Sequence, residues 1–190
     1  MPKVPHPPIR HLRAVDDQLV LGAQPTAADY VALADQGVRT VIDLRAGTTA
    51  GPRVDDAEFL GSLGIEYASL PVTDGHAPSP ELLEEFFTAV EASPGRAYVH
   101  CAAGVGRTTS IEMAYRNRLG MEHGVRQQLA VGPPTIEQIW FVASLRNRGP
   151  TTVPAVVNMT SRALDAPRHA VGWVRALAAK MPSRKRISAR

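Results

Sequence analysis

Apolar residues in this chain fall into short runs that alternate with longer stretches, in which apolar positions recur every three or four residues. The short runs are rich in β-branched residues and predict buried strands at 38–44, 65–70 and 97–100, with a hairpin over 13–21. The longer stretches predict helices, several of them marked by a capping residue or a terminal glycine. These helices cover residues 26–35, 54–63, 79 onward, a stretch ending near 119, 122–130 and 135–147.

Strands that alternate with helices are typical of the α/β class, in which a central, mainly parallel sheet is flanked by helices. The sequence therefore predicts such a fold for one domain over residues 11–149, preceded by an irregular, proline-rich segment over 1–10. The composition changes after this domain, and residues 150–190 are predicted to be a basic C-terminal extension. Within the extension, Pro167 is expected to begin an amphipathic helix that packs back on the domain.

The net charge of +3 conceals an uneven distribution along the chain. Residues 161–190 carry eight Lys or Arg and one acid, whereas residues 16–160 carry a net charge of −7. A basic tail can contact nucleic acid or an anionic membrane, but most terminal charge runs are simply solvated. We favour the solvated tail over membrane contact. Nucleic-acid binding is disfavoured further, because aromatic residues make up only 5% of the chain.

The sequence gives no sign of secretion or membrane insertion. No run approaches the roughly 18 apolar residues that cross a bilayer, and the first eight residues lack the apolar core of a signal peptide. Cys101 is the only cysteine, which excludes an intramolecular disulfide framework and a CxxC metal or redox motif. We therefore expect a soluble, cytoplasmic protein.

One segment, residues 100–108 with the sequence HCAAGVGRT, is suited to chemistry. It follows a predicted strand and opens a predicted helix, which is where α/β sheets bind ligands. Its two glycines allow the backbone N–H groups to converge into an anion-binding nest beside the positive end of the helix dipole. Arg107 adds a planar fork that fits two phosphate oxygens. The same field stabilises the thiolate form of Cys101, so the segment predicts a phosphate site beside an activated nucleophile.

Three alternative interpretations fit this segment less well: an inert core cysteine, a Walker A loop and a dinucleotide-binding loop. A lone cysteine after an apolar strand is ordinarily an inert core residue. Here, however, it is followed by five residues, an arginine and a hydroxyl residue, with glycines at both turn positions. A Walker A loop needs lysine where Arg107 stands, and a dinucleotide-binding loop needs glycine where Thr109 stands.

The string from Cys101 to Thr108 resembles the signature of the cysteine-dependent protein tyrosine phosphatases, and the short chain resembles their dual-specificity branch of bacterial type. The resemblance continues through residues 21–26, 37–45, 70–74 and 134–138 and covers roughly residues 10–148. It implies a phosphatase-like catalytic domain over 11–149. The implied reaction is hydrolysis of phosphotyrosine through a cysteinyl-phosphate intermediate, with phosphoserine and phosphothreonine as further candidate substrates.

Carried onto this chain, the resemblance implies a role for each residue of the segment. Cys101 attacks phosphorus, while Arg107 and the loop amides hold the phosphate oxygens and stabilise the charge of the transition state. Thr108 is expected to donate its hydroxyl to the thiolate, and His100 to orient the loop from beneath. The phosphate-binding residues are Ala102, Ala103, Gly104, Val105, Gly106 and Arg107.

The reaction also needs a proton donor for the leaving-group oxygen, and the resemblance assigns this role to Asp74, in a loop that follows a predicted strand. The alternative for Asp74 is a turn-capping role, and Asp43, at the end of its own strand, is the second candidate acid. Gln138 is expected either to position the hydrolytic water or to lie on a helix surface. His76, in the same loop as Asp74, either contacts the substrate or is simply exposed.

No metal and no cofactor is expected, because Arg107 and the loop amides take over the charge neutralisation that Mg²⁺ performs elsewhere. The expected partners are a phosphorylated protein substrate and a phosphate ion in the loop. Two alternatives stay open. A phosphatase of phosphoinositides or other small phosphomonoesters is disfavoured, because positions 102, 103 and 105 carry no lysine. A catalytically weak phospho-binding module is disfavoured, because Cys101, Arg107 and Asp74 are all present.

Overall fold

The structure is a computed structural model that describes residues 8–46 and 57–165. The helix expected from Pro167 and most of the irregular segment over 1–10 lie outside the described residues. Within these two ranges, no helix is long and apolar enough to cross a membrane.

A five-stranded sheet with the order β1-β2-β5-β3-β4 forms the centre of the molecule. β1 pairs antiparallel with β2, while β2, β5, β3 and β4 run parallel to one another. The predicted hairpin and the predicted mainly parallel sheet are therefore confirmed. The strands are β1 (Arg13–Ala14), β2 (Leu19–Gly22), β3 (Val38–Arg45), β4 (Glu66–Val72) and β5 (Arg96–His100).

Helices connect the parallel strands and follow the last of them. They are α1 (Ala27–Asp35), α2 (Ala57–Ser62), α3 (Pro80–Ala92), α4 (Gly106–Arg118), α5 (Val125–Val131) and α6 (Ile136–Arg148). The side chains of Thr26, Ser79 and Thr135 accept backbone N–H groups at the starts of α1, α3 and α6, and these caps fix the boundaries. Residues 155–165, in the predicted extension, are also helical.

The helices predicted within the described residues are present, and the clearest difference lies at the start of α5, three residues later than expected. The chain leaves α4 through Gly120, whose φ is +67°. The N–H of Met121 then bonds back to the carbonyl of Arg116 at 2.8 Å. This closing turn occupies the residues that the sequence pattern assigned to the next helix.

Apolar side chains cover both faces of the sheet, as a parallel sheet requires. On one face Leu83, Phe86, Ile111 and Phe141, from α3, α4 and α6, pack against Val99 of β5 and its neighbours. On the other face Tyr30, Leu33 and Leu60, from α1 and α2, pack against Val41 and Tyr98. The central strands are thus buried on both sides, and their ends are held rigidly.

Strand register brings the carboxyl ends of four strands to one edge of the sheet. Gly22 and Asp43 both lie beside His100, the last residue of β5. At the outer strand, Arg45 pairs with Val72. The segments that follow these residues therefore meet at this edge, which is where ligands bind to α/β sheets.

Candidate active site

The loop from Cys101 to Arg107 joins the end of β5 to the start of α4. Cys101 is the first residue of the loop and is only 3% exposed. The backbone N–H of Gly104 donates to its Sγ at 3.3 Å. The loop thus curls around the sulfur atom, and its backbone amides precede the N-terminus of α4, as anion binding requires.

Gly104 has no room for a side chain. Its φ is +74°, and a Cβ would lie 2.6 Å from the backbone nitrogen of Ala23, at the end of β2. The same stretch is tied to the loop by a hydrogen bond from the N–H of Gln24 to the carbonyl of Ala102, at 3.3 Å. Arg13 also donates to the carbonyl of Gly104 at 3.4 Å. The loop is therefore held against the edge of the sheet by close backbone packing.

The guanidinium group of Arg107 is buried and oriented by the neighbouring strands. Its Nη1 donates to the carbonyls of Leu44 and Val72, at 3.4 and 3.1 Å. Its Nη2 lies 3.1 Å from Oδ1 of Asp74. Its Nε is buried without a hydrogen-bond partner among the described residues. Because a buried donor of this kind is rarely left unpaired, this nitrogen is available for an anion in the loop.

Asp74 lies in the loop over residues 73–79, which we call the acid loop, and its side chain is 59% exposed. Two hydrogen bonds attach this loop to the first turn of α6. The hydroxyl of Thr135 donates to the carbonyl of Gly75 at 2.6 Å, and Nε2 of Gln138 donates to the carbonyl of His76 at 3.1 Å. The acid loop is thereby brought over the loop from Cys101 to Arg107, and Asp74 lies against Arg107.

Gln138 does not lie on a helix surface but is buried between the two loops. Its amide packs directly on the loop from Cys101 to Arg107, since a Cβ on Gly106 would lie 2.6 Å from Oε1 of Gln138. The same oxygen accepts the N–H of Thr135 at 3.1 Å. One side chain therefore contacts both parts of the site, which fits a role in positioning groups between them.

His100 and Thr108 lie beneath the loop, and both are fully buried. Nδ1 of His100 lies 3.2 Å from the carbonyl oxygen of Cys101, and its Nε2 lies 3.5 Å from the hydroxyl of Tyr30. The hydroxyl of Thr108 has no hydrogen-bond partner within the described part of the chain. That hydroxyl remains free to donate to the cysteine sulfur, as the sequence predicts.

Asp43, the second candidate acid, lies in the interior instead of the cleft. Its carboxylate accepts both Nε and Nη2 of Arg45 and the hydroxyl of Tyr67, at 2.7 to 3.1 Å. Burial raises the pKa of Asp43, but the hydrogen bonds from Arg45 and the nearby His100 outweigh it and lower the pKa to about 2. Because Asp43 does not line the cleft and both of its oxygens are bonded to Arg45 or Tyr67, it is not placed to protonate a leaving group.

We expect the Asp43→Asn variant to lose about 3 kcal/mol of unfolding free energy at neutral pH, because the buried Arg45 then loses the charged carboxylate that accepts its Nε and Nη2. Since folding lowers the pKa of Asp43 to about 2, from about 3.9 in an unfolded chain, its contribution is present above about pH 4 and is lost as the pH falls toward 2. Urea unfolding at pH 7, 4, 3 and 2 measures this loss. Glu66→Gln, at an exposed position of β4, is the control. A difference between wild type and Asp43→Asn that stays constant down to pH 2 would contradict the assignment.

A cleft of about 380 Å³ opens above the loop. One wall is apolar, and two carboxylates border it. No lysine or arginine of the described residues lines it. The lining residues are Asp74, Gly75, Ala103, Val105, Gly106, Pro133, Thr135, Gln138 and Asp165. Among the described residues, no group of three or more His, Cys, Asp or Glu side chains is placed to hold a metal ion.

Several polar residues behind the acid loop were not identified from the sequence. His76 is not freely exposed, because its Nδ1 lies 3.1 Å from Oε2 of Glu137. Glu137 in turn contacts Asn158 and Ser161, from the helix over 155–165. The signal for that helix is weak, a proline at 154 followed by apolar residues. No local pattern indicates that Asn158 faces Glu137.

Comparison with known proteins gives a consistent family. The profile of a family described as "DSP-PTPase phosphatase fused to NAD+ Kinase" matches residues 12–144. The chain is also 29% identical over 119 residues to dual specificity protein phosphatase 18 of Mus musculus, covering 60% of this chain and 57% of that protein. The chain thus spans a little over half the length of this curated relative.

Solved structures share the fold. A DUF442 protein from Shewanella putrefaciens is 26% identical, with a TM-score of 0.56 over 65% of this chain and 78% of its own. The structure of PTPMT1 in complex with PI(5)P is 19% identical, with a TM-score of 0.60 over 70% of this chain and 92% of its own. At that identity, the likeness to PTPMT1 concerns the fold alone.

Proposed function

Since the chain belongs to the DSP-PTPase phosphatase family, we propose that it hydrolyses phosphotyrosine in proteins, with phosphoserine and phosphothreonine as further substrates, through a cysteinyl-phosphate intermediate. The family assignment made from the sequence is confirmed. The observation that carries the proposal is that Asp74 lies against Arg107, at the loop that begins with Cys101 and borders the cleft. In this arrangement Asp74 lies 3.1 Å from the arginine that is to hold the phosphate.

In the first step the Sγ thiolate of Cys101 attacks phosphorus, and the bond between phosphorus and the leaving-group oxygen breaks. The carboxyl group of Asp74 transfers its proton to that oxygen, so the leaving group departs as a neutral alcohol or phenol. Arg107 and the loop amides hold the equatorial phosphate oxygens throughout, which stabilises the charge that develops there.

In the second step a water molecule attacks phosphorus, and the bond between sulfur and phosphorus breaks. The carboxylate of Asp74 accepts a proton from the water, which returns the acid to its starting state. The buried side-chain amide of Gln138 touches both loops, a position suited to orienting this water. The hydroxyl of Thr108 is suited to stabilising the departing thiolate.

The composition of the cleft favours a phosphotyrosine side chain over a phosphoinositide headgroup. Ala103, Val105 and Pro133 form an apolar wall against which an aromatic ring can pack. A headgroup with several phosphates would instead meet the carboxylates of Asp74 and Asp165, with no lysine among the described residues of the lining. Phosphoinositides stay the second candidate, because a protein of this fold, PTPMT1, is known in complex with PI(5)P.

A substrate panel tests the proposal. Peptides with phosphotyrosine, phosphoserine or phosphothreonine are compared with soluble phosphoinositides, all in EDTA, since charge neutralisation is assigned to Arg107 and the loop amides. We expect the highest kcat/KM for phosphotyrosine peptides, and acid quenching during turnover should trap phosphate on Cys101. A preference for phosphoinositides would establish the second candidate instead.

The role of Asp74 predicts a dependence on the leaving group. We expect Asp74→Asn to lower kcat/KM for an alkyl phosphate by about 10²- to 10³-fold, because an alkoxide leaves poorly without a proton. For p-nitrophenyl phosphate, whose leaving group needs little protonation, the loss should stay below about tenfold. Asp35→Asn, an exposed carboxyl at the end of α1, should change neither rate. Equal losses with both substrates would remove Asp74 from the role of acid.

A further inference from the structure

A buried carboxylate lies directly behind the acid loop and is bonded to it at two points. Oε1 of Glu137 accepts the backbone N–H of Ala77 at 3.0 Å. Oε2 of Glu137 lies 3.1 Å from Nδ1 of His76. Thr135 and Gln138 hold the carbonyls of Gly75 and His76. Three consecutive residues after Asp74 are thus bonded to the first turn of α6, and Glu137 makes the contacts farthest from the cleft.

Glu137 is itself fixed by the helix over 155–165. Nδ2 of Asn158 donates to Oε2 of Glu137 at 2.9 Å and lies 3.2 Å from Nδ1 of His76. The hydroxyl of Ser161 accepts the backbone N–H of Glu137 at 3.2 Å and donates to Asp165 at 3.0 Å. Asn158 and Ser161 lie beyond residue 144, where the match to the family ends. These contacts are therefore a feature of this chain's own C-terminal part.

Within the described part of the chain, polar contacts link the acid loop to this helix beside a cavity. A cavity of about 350 Å³ lies between the two elements. Asp74, Gly75 and His76 line it on one side, and Ser161, Arg162 and Asp165 line it on the other. Ala77 packs against the core and Pro78 is buried at the far end of the loop, whereas Gly75 and His76 border the cavity. Hydrogen bonds therefore determine where the part of the loop next to Asp74 lies.

We propose that Glu137 and Asn158 are positioning residues for the general acid, which hold the acid loop closed so that Asp74 stays over the phosphate-binding loop. The inference rests on the proposed function, because it assumes that Asp74 donates the proton. Neither residue touches the substrate in this scheme. They act through the side chain of His76 and the backbone N–H of Ala77, and a displacement of the acid by about 1 Å costs up to about 10²-fold in rate.

The test measures kcat/KM of Asn158→Ala with an alkyl phosphate and with p-nitrophenyl phosphate. We expect a loss of about ten- to a hundredfold with the alkyl phosphate and less than about twofold with the aryl phosphate. Thr160→Ala is the matched control, since Thr160 is exposed on the same helix and its hydroxyl bonds only within that helix, to the carbonyl of Val156. The aryl phosphate rate also reports folding. Glu137→Gln, which keeps the shape but replaces one of the two acceptor oxygens by an NH2 donor, should reproduce the pattern.

A double variant separates positioning from general stabilisation. If Asn158 acts through Asp74, adding Asn158→Ala to Asp74→Asn should cost no further activity with the alkyl phosphate. Additive losses, equal losses on both substrates or an unchanged Asn158→Ala enzyme would overturn the inference while leaving the proposed function intact. A wild-type protein that hydrolyses no phosphate ester, or an Asp74→Asn variant without leaving-group dependence, would overturn both together.

Discussion

The Cys101→Ser variant is expected to lose turnover by at least about 10⁴-fold while it keeps its fold and its affinity for phosphate. A serine hydroxyl is not ionised at neutral pH, so it cannot attack phosphorus as the thiolate does. The sulfur accepts one hydrogen bond inside the loop, from Gly104, and a hydroxyl oxygen can accept the same bond. The anion site itself consists of backbone amides and Arg107, which the substitution leaves unchanged.

Three measurements check this expectation. Steady-state hydrolysis of a phosphotyrosine peptide gives the loss of rate, and thermal unfolding with and without inorganic phosphate gives the retained binding. Alkylation of the wild type with iodoacetate gives an independent result, because Cys101 is the only cysteine among the 190 residues. One adduct should abolish activity, and bound phosphate should slow its formation. Substantial turnover in Cys101→Ser would exclude the cysteinyl-phosphate mechanism.

The Arg107→Lys variant is expected to lose about 10²- to 10³-fold in kcat/KM, although it keeps the positive charge. The guanidinium of Arg107 is held by two backbone carbonyls and Asp74, with Nε left over for a ligand. A lysine ammonium is a single point and cannot satisfy both strand ends while it also binds two phosphate oxygens. We therefore expect both weaker phosphate binding and poorer stabilisation of the transition state.

The matched control is Arg116→Lys on the same helix. Arg116 makes one ion pair with Glu112, at 3.0 Å, and is partly exposed. That change should leave kcat/KM within about twofold, because partly exposed ion pairs contribute little. If Arg107→Lys retains near-normal rates, phosphate binding lies elsewhere. If the control loses as much as Arg107→Lys, the loss reflects the helix and not the phosphate site.

The sequence was most informative where the determinants are local. The short apolar runs identified the parallel strands, and the residues Thr26, Ser79 and Thr135 identified the starts of three helices. The Cys101-to-Arg107 spacing, with its two glycines, predicted the loop that the structure shows between β5 and α4. Each of these depends on residues within a few positions of one another, so the pattern along the chain carries the information.

Contacts between distant segments were not predictable in the same way. His76 was treated as an exposed loop residue or a substrate contact, whereas Glu137, 61 positions later, pairs with it. The burial of Asp43 among Arg45, Tyr67 and His100 depends on strand order, which no local pattern reveals. Asn158 offered no signal at all, because its partners are brought to it by the packing of a helix over 155–165.

The first turn of α6 contacts both halves of the site, through Gln138 against Gly106 and through three bonds to the acid loop. The separation of acid and nucleophile is therefore set by one helical turn in addition to the strand register, which brings both loops to one edge of the sheet. For protein engineering, this predicts that the turn after β1 and the start of α6 differ in how well they tolerate a change in length. Insertions in the turn after β1, which lies at the opposite end of the strands from the site, leave the distance between Asp74 and Cys101 unchanged. A one-residue deletion between Pro133 and Gln138 turns this part of the helix by about 100° and breaks its contacts with both loops. A redesign must therefore keep this short turn unchanged.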